Sequence, residues 1–111
     1  MWLITRDGFF NIVQSDDDRE KGLLTVKARK IEDLERFKQI VNGNVASPIQ
    51  TSYANDYHFR IKSDKKAVVE GVASMVSAIE YSKTKPVLHK SRSGIYFQVW
   101  ETLADLQKDN Y

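Results

Sequence analysis

The sequence predicts an α+β fold: a two-layer sandwich in which helices cover one face of an antiparallel sheet, ferredoxin-like or a permuted variant. Two segments, Leu23 to Arg29 and Tyr57 to Lys62, alternate apolar and polar residues as half-buried strands do. Three other segments repeat apolar residues at helical spacing. The chain has 111 residues, of which 41% are hydrophobic. That content suits one modest core, so we expect a single α+β domain over residues 1–111.

The chain begins with a predicted hairpin. Asp7-Gly8 lies between Trp2 to Arg6 and Phe9 to Gln14, and this dipeptide readily takes the positive φ angles of a tight turn. The alternative is one long strand with a bulge at Gly8. The run from Ser15 to Gly22 has nothing to bury and indicates an exposed loop.

The middle of the chain predicts one helix and a second hairpin. Apolar residues recur at helical spacing from Ile31 to Val41, and Asn42-Gly43 supplies a stop. Ile49 to Tyr53 and Tyr57 to Lys62 then flank a three-residue turn. A ferredoxin-like sheet fits this order if the N-terminus supplies its edge strand.

Two helices are predicted in the last half of the chain. Ser63 or Asp64 caps the first, which runs from Lys65 to about Tyr81, and its Gly71 indicates close packing onto the sheet. A loop from Ser82 to Arg92 separates it from the last helix.

The last helix is expected to begin after a cap at Ser91 or Ser93. Its apolar stripe includes Tyr96 and Trp100, for which we expect core packing. The alternative is an exposed protein-binding surface.

Several function classes lack the residues they need. The chain has no cysteine, so disulfides and thiolate chemistry are absent, and a reducing, cytoplasmic location is expected. His58 and His89 are the only histidines and have no ligand spacing, while the Asp16-Asp17-Asp18 run departs from a calcium loop, so no metal is expected. The five glycines are scattered, so no cofactor cradle is visible.

Catalytic motifs are also absent, and we expect a non-enzymatic protein. Asp56-Tyr57-His58 is the one cluster that resembles an acid–base site, and it leaves an enzyme open. The opening residues do not resemble a targeting segment, and no stretch approaches the roughly 20 apolar residues that span a bilayer, so no membrane partner is expected.

The placement of positive charge is the feature that indicates a partner. Lys and Arg total 17 against 15 Asp and Glu, a net charge of +2, which is too small to argue for nucleic acid by itself. The outward positions of the two alternating strands are nevertheless basic, and a second basic cluster fills the loop before the last helix. The predicted anion-binding residues are Lys27, Arg29, His58, Arg60, Lys62, Lys83, Lys85, Lys90 and Arg92.

The sequence thus predicts a small binding module that engages an anionic partner through a basic sheet face. Nucleic acid is the leading hypothesis for this partner. Lys and Arg would hold phosphates, and an exposed Phe9 or Tyr53 would stack on bases. The alternative is a protein–protein adaptor or inhibitor that uses the C-terminal helix or a sheet edge. A homodimer is also open.

Four stretches carry a family resemblance. They are Met1-Trp2-Leu3-Ile4-Thr5 leading to Gly8-Phe9-Phe10, Val26 to Arg29, Asp56 to Arg60, and the ending Tyr96, Val99-Trp100, Leu106-Gln107. In these the chain resembles a family of small uncharacterised bacterial and phage-associated proteins. It departs from the family's Asp-Tyr-Asp-Asn-Phe-Lys pattern at Glu80 to Lys85. The resemblance implies a compact domain, draws attention to Arg29, Asp56 and Arg60, and adds phage–host conflict to the adaptor alternative.

Overall fold

The structure is a computed structural model that describes residues 1–79 and 90–108, without the side chains of Lys90, Ser91 and Ser93. The chain divides into two compact units, Met1–Ile79 and Glu80–Tyr111. The single-domain expectation stays a prediction. The described residues form an antiparallel sheet and four helices, which confirms the α+β, two-layer class. In chain order the elements are β1 (Trp2–Thr5), β2 (Gly8–Val13), α1 (Asp16–Lys21), β3 (Leu23–Ala28), α2 (Ile31–Ile40), β4 (Gln50–Thr51), β5 (Phe59–Asp64), α3 (Lys65–Ser77) and α4 (Lys90–Lys108).

The sheet has the strand order β1-β2-β3-β5-β4, and every neighbouring pair is antiparallel. Strand β5 lies between β3 and β4, which are joined through α2, so the run from β3 to α3 has the split arrangement of a ferredoxin-like sheet. The N-terminal hairpin fills the remaining edge beside β3, as the sequence predicts.

The first hairpin brings the chain close to α2. Thr5 pairs with Gly8 across a tight turn, and Gly8 has a φ of 145°. A Cβ atom at Gly8 would lie 2.6 Å from the Asp33 Cγ. The Asp33 carboxylate accepts a hydrogen bond from the Phe9 backbone N–H at 3.1 Å. Only glycine therefore fits where the hairpin meets the first turn of α2.

The hydrophobic core lies between the sheet and the two helices α2 and α3. Alternation in β2, β3 and β5 sends one set of side chains to this side, and the helical stripes of α2 and α3 meet them. The Phe10 and Phe37 ring centroids are 5.5 Å apart across this interface. The buried core residues are Phe10, Ile12, Val26, Ala28, Leu34, Phe37, Val41, Ile61, Ala67 and Val68.

The prediction of a loop over residues 15–22 is wrong, because Asp16–Lys21 forms α1. The Asp18 backbone N–H donates to the Ser15 hydroxyl at 3.0 Å, and the Ser15 N–H donates to the Asp18 carboxylate at 3.2 Å. This capping box satisfies the helix start, and Gly22, with a φ of 69°, ends it. The helix has no apolar face, so periodicity did not indicate it.

The second hairpin differs from its prediction. Its first strand, β4, has only two residues, and residues 52–58 form the connection in place of a three-residue turn. Tyr57 precedes β5 rather than belonging to it. Tyr57 is only 4% exposed, and its ring packs beside that of Phe9 with the ring centroids 6.2 Å apart.

Helix α3 packs against α2 at its glycine. A Cβ atom at Gly71 would lie 3.0 Å from the Ile40 Cγ2, so the close approach at Gly71 is to α2 rather than to the sheet, onto which Ala67 and Val68 of α3 pack. The helix ends at Ser77 rather than near Tyr81, which lies outside the described residues. Asp64 is its N-cap, without a side-chain hydrogen bond.

Helix α4 begins at Lys90, so a loop that reaches Arg92 and a cap at Ser91 or Ser93 are wrong predictions. The rest of that predicted loop lies outside the described residues. Core packing is wrong for Trp100, which is 67% exposed. Tyr96 is half-buried, and its hydroxyl accepts from Arg92 at 3.3 Å. Among residues 1–79 and 90–108, no helix is long and apolar enough to cross a bilayer.

Candidate nucleic-acid interface

The side of the sheet opposite α2 and α3, which we call the outer face, carries the strand residues that the sequence predicts as binding groups. Strand alternation places there one residue in two, because the intervening residues enter the core. The strand residues of the outer face are Trp2, Ile4, Phe9, Asn11, Val13, Leu23, Thr25, Lys27, Gln50, Arg60, Lys62 and Asp64.

Lys27 and Arg60 occupy the centre of the outer face as direct cross-strand partners of β3 and β5. Both residues are half-buried. Within the described part of the chain, the structure gives no ion pair or side-chain hydrogen bond to either cation. Like charges placed directly opposite each other on a sheet destabilise it. The fold therefore keeps an electrostatically unfavourable pair at the middle of its open face.

Arg29 follows β3 and is held in place by two contacts. Its guanidinium carbon lies 4.4 Å from the centroid of the Tyr57 ring, and its Nη1 donates to the Asp56 carbonyl oxygen at 3.0 Å. A guanidinium has further N–H donors beyond the one used here, and it recognises phosphate with a planar fork of them. The Arg29 residue is exposed. Arg29 is thus a fixed and accessible cation.

Lys62 lies on the outer face as predicted, but a carboxylate holds it there. Its ammonium donates to Asp18 of α1 and, at 3.0 Å, to the Thr25 hydroxyl, which itself donates to the other Asp18 oxygen at 2.7 Å. Asp18 is 0% exposed. Through this network α1 covers one end of the outer face.

The Asp18 carboxylate stays ionised in this network. Burial raises the pKa of the Asp18 carboxyl, but hydrogen bonds from Lys62, Thr25 and the Ser15 backbone, with the Lys62 charge, outweigh burial and hold that pKa well below its usual range. The positive charge of Lys62 is therefore already neutralised within the protein.

A shallow concavity of about 240 Å³ opens between the centre of the outer face and α1. Lys27, Arg60 and Lys62 contribute the cations of its lining, and Asp18, which is paired with Lys62, contributes its one carboxylate. Sites for drug-sized ligands and cofactors run from about 300 to 1,000 Å³. The smaller volume here suits a phosphate group better than a whole nucleotide.

The remaining predicted binding residues lie outside the strands of the sheet or outside the described residues. His58 lies in the connection before β5, not on the strand as predicted, and its ring is 4.9 Å from that of Tyr53. Lys83 and Lys85 lie outside the described residues, as does the Lys90 side chain. Arg92 belongs to α4, in the second unit.

Outside the core, aromatic side chains of the first unit lie at two places. Of the two predicted base platforms, Tyr53 is 73% exposed, whereas Phe9 is half-buried on the outer face. The sequence reasoning missed Trp2, which is 66% exposed and meets Phe9 edge-on with centroids 5.7 Å apart. The alternation of β1 was the available signal, since it assigns Trp2 and Leu3 to opposite faces.

Metal sites and acid–base sites need acidic or histidine side chains in particular arrangements. Within residues 1–79 and 90–108, no group of three or more His, Asp or Glu side chains is arranged to hold a metal ion. The Asp56 carboxylate accepts a hydrogen bond from the Tyr57 backbone N–H at 2.9 Å, as a turn residue does.

No family model matches the chain, and neither a curated protein nor a solved structure is significantly similar to it. The family resemblance of the sequence therefore stays a prediction.

Proposed function

We propose that this protein binds single-stranded nucleic acid on the outer face of its sheet. The observation that carries the proposal is the direct pairing of Lys27 with Arg60. Two like charges in register cost stability, and an anionic ligand between them turns that cost into a favourable interaction. The concavity that they line, about 240 Å³, has room for a phosphate group.

Two further observations support nucleic acid over other anions. Arg29 is a third cation, fixed beside the central pair by Tyr57 and Asp56. Trp2 and Phe9 place aromatic rings on the same face. Cations that follow a phosphate backbone next to an exposed aromatic ring are the combination that binds unpaired strands. Stacking needs unpaired bases, so a duplex is the weaker ligand.

The test is fluorescence anisotropy of labelled single-stranded RNA, single-stranded DNA and duplex DNA, titrated with the protein at about 50 and 200 mM salt. We expect saturable binding of the single strands that weakens steeply with salt. The double variant Lys27→Glu/Arg60→Glu should weaken it about 100-fold, since each charged hydrogen bond contributes at least about 1.5 kcal/mol. The substitution replaces one like-charge pair by another, so the thermal midpoint should change little.

Lys65→Glu/Lys66→Glu is the matched control, because it changes the net charge equally at two exposed positions of α3. The control should retain most of the affinity. Equal losses in the two double variants would mean that only net charge matters and would contradict a site on the outer face.

A protein partner that binds α4 is the second candidate. Phe97 and Trp100 are 55% and 67% exposed, and their rings stack with centroids 5.6 Å apart. Exposed apolar patches of this kind mark interaction surfaces. The two candidates differ in salt dependence, because phosphate contacts weaken steeply with salt and an apolar interface does not.

A further inference from the structure

The five strands each contribute one residue to a single row that crosses the outer face. The pairing registers connect Trp2 with Asn11, Asn11 with Lys27, Lys27 with Arg60, and Arg60 with Gln50. Neighbouring strands lie about 4.8 Å apart, so the row runs perpendicular to the strands from one edge of the sheet to the other. Its order is aromatic, amide, cation, cation, amide.

The aromatic end of this row is an accessible platform. Trp2 is 66% exposed, and Phe9 supports its ring from the neighbouring strand. The next residue of the row, Asn11, carries an amide, and amides hydrogen-bond base edges through a donor and an acceptor. An unpaired base on Trp2 would thus have a polar group beside it.

Lys27 lies two strand spacings, about 10 Å, from Trp2 along the row. Arg60 lies one strand spacing farther. Here the concavity is bounded on one side by α1, whose Asp18 neutralises Lys62. A phosphate path that continued toward Lys62 would meet this carboxylate. The charges therefore disfavour a path toward Lys62, whereas the row joins the aromatic platform of Trp2 to the central cations.

Resting on the function proposed above, we infer that a single strand crosses the sheet along this row. One unpaired base stacks on Trp2 with its edge at Asn11, and a phosphate of the same strand occupies the concavity between Lys27 and Arg60. The contacted segment is short, about two or three nucleotides, as on other sheet platforms. Trp2 recognises the base, and the central cations recognise only phosphate.

The test uses two probes that separate base from phosphate: labelled single-stranded RNA or DNA of six nucleotides, and inorganic tripolyphosphate, which has no base. Trp2→Ala should weaken oligonucleotide binding about tenfold, the contribution of one stacked base, and leave the tripolyphosphate affinity unchanged. Trp2→Phe should restore most of the oligonucleotide affinity because it keeps an aromatic face. Running the RNA and DNA arms side by side identifies the sugar that the site accepts.

Val76→Ala is the control, since Val76 is an apolar residue of α3 that is 61% exposed, close to the 66% of Trp2. This control should bind both probes as the unaltered protein does. Equal oligonucleotide affinities for Trp2→Ala and Val76→Ala would overturn the inferred path and leave the proposed function in place. A parallel loss of tripolyphosphate binding in Trp2→Ala would also overturn it, because Trp2 would then act on the fold. If the unaltered protein binds no oligonucleotide, the proposed function itself fails.

Discussion

Two positions along the central strand pair β3–β5 differ in how the fold compensates their cations. At the α1 end, Lys62 is held by a fully buried carboxylate and the Thr25 hydroxyl. At the centre, Lys27 and Arg60 face each other, and the structure gives neither an ion pair with a described residue. All three occupy equivalent outward positions of the same alternation. The comparison teaches that strand alternation assigns a cation to a face, whereas tertiary packing decides whether its charge stabilises the fold or is available to a ligand.

The largest expected effect is on stability, at the paired end. Asp18→Ala should lower the free energy of unfolding by about 3 kcal/mol, because it leaves Lys62 without its carboxylate and removes half of the α1 capping box. Urea denaturation measures this loss.

Asp17→Ala is the control for that variant, since its ion pair with Lys21 joins two side chains that are 66% and 62% exposed. Such pairs contribute at most about 1 kcal/mol. Similar losses of stability in Asp17→Ala and Asp18→Ala would mean that the Asp18 network contributes no more than an exposed ion pair. The contrast between Lys62 and the central pair Lys27/Arg60 would then fail.

The next effect is the pH dependence of stability that the Asp18 network should produce, and it is smaller. The pKa of the Asp18 carboxyl is lower in the folded protein than its unfolded value of about 3.9. Its contribution to stability is therefore complete above that value and is lost as the pH falls toward the folded pKa. Between about pH 4 and pH 2, the free energy of unfolding should fall more steeply for the unaltered protein than for Asp18→Asn. Parallel curves in urea denaturation would contradict an ionised Asp18.

Local patterns in the sequence were sufficient for most of the fold. Helix α2 could be predicted because its apolar spacing and its Asn42-Gly43 stop are both local signals, and the structure places Asn42 and Gly43 at positive φ. The first hairpin followed in the same way from Asp7-Gly8. For each of these elements, the signals for hydrogen bonding and for the buried side lie within about ten consecutive residues.

The Asp18 network could not be predicted from local patterns. Helix α1 has no apolar stripe, and the partners that hold Asp18, Thr25 and Lys62, come from two other elements. Ser15 and Asp18 do have capping-box spacing, which was the available local signal. The candidate site shows the same limit, since alternation indicated the face of Lys27, Arg60 and Lys62 without indicating that one of them is neutralised.

The smallest expected effect tests the central claim most directly. It is the slope of log affinity for a single-stranded oligonucleotide against log salt concentration. Lys27→Met should reduce the magnitude of this slope by about 0.7, the contribution of one phosphate contact on a single strand. Asp18→Asn/Lys62→Gln, which replaces the internal ion pair by neutral hydrogen-bonding groups, should leave the slope unchanged, with circular dichroism to verify folding. A reduced slope in the neutralised pair and an unchanged slope in Lys27→Met would contradict the account, because Lys62 rather than the central pair would then contact phosphate.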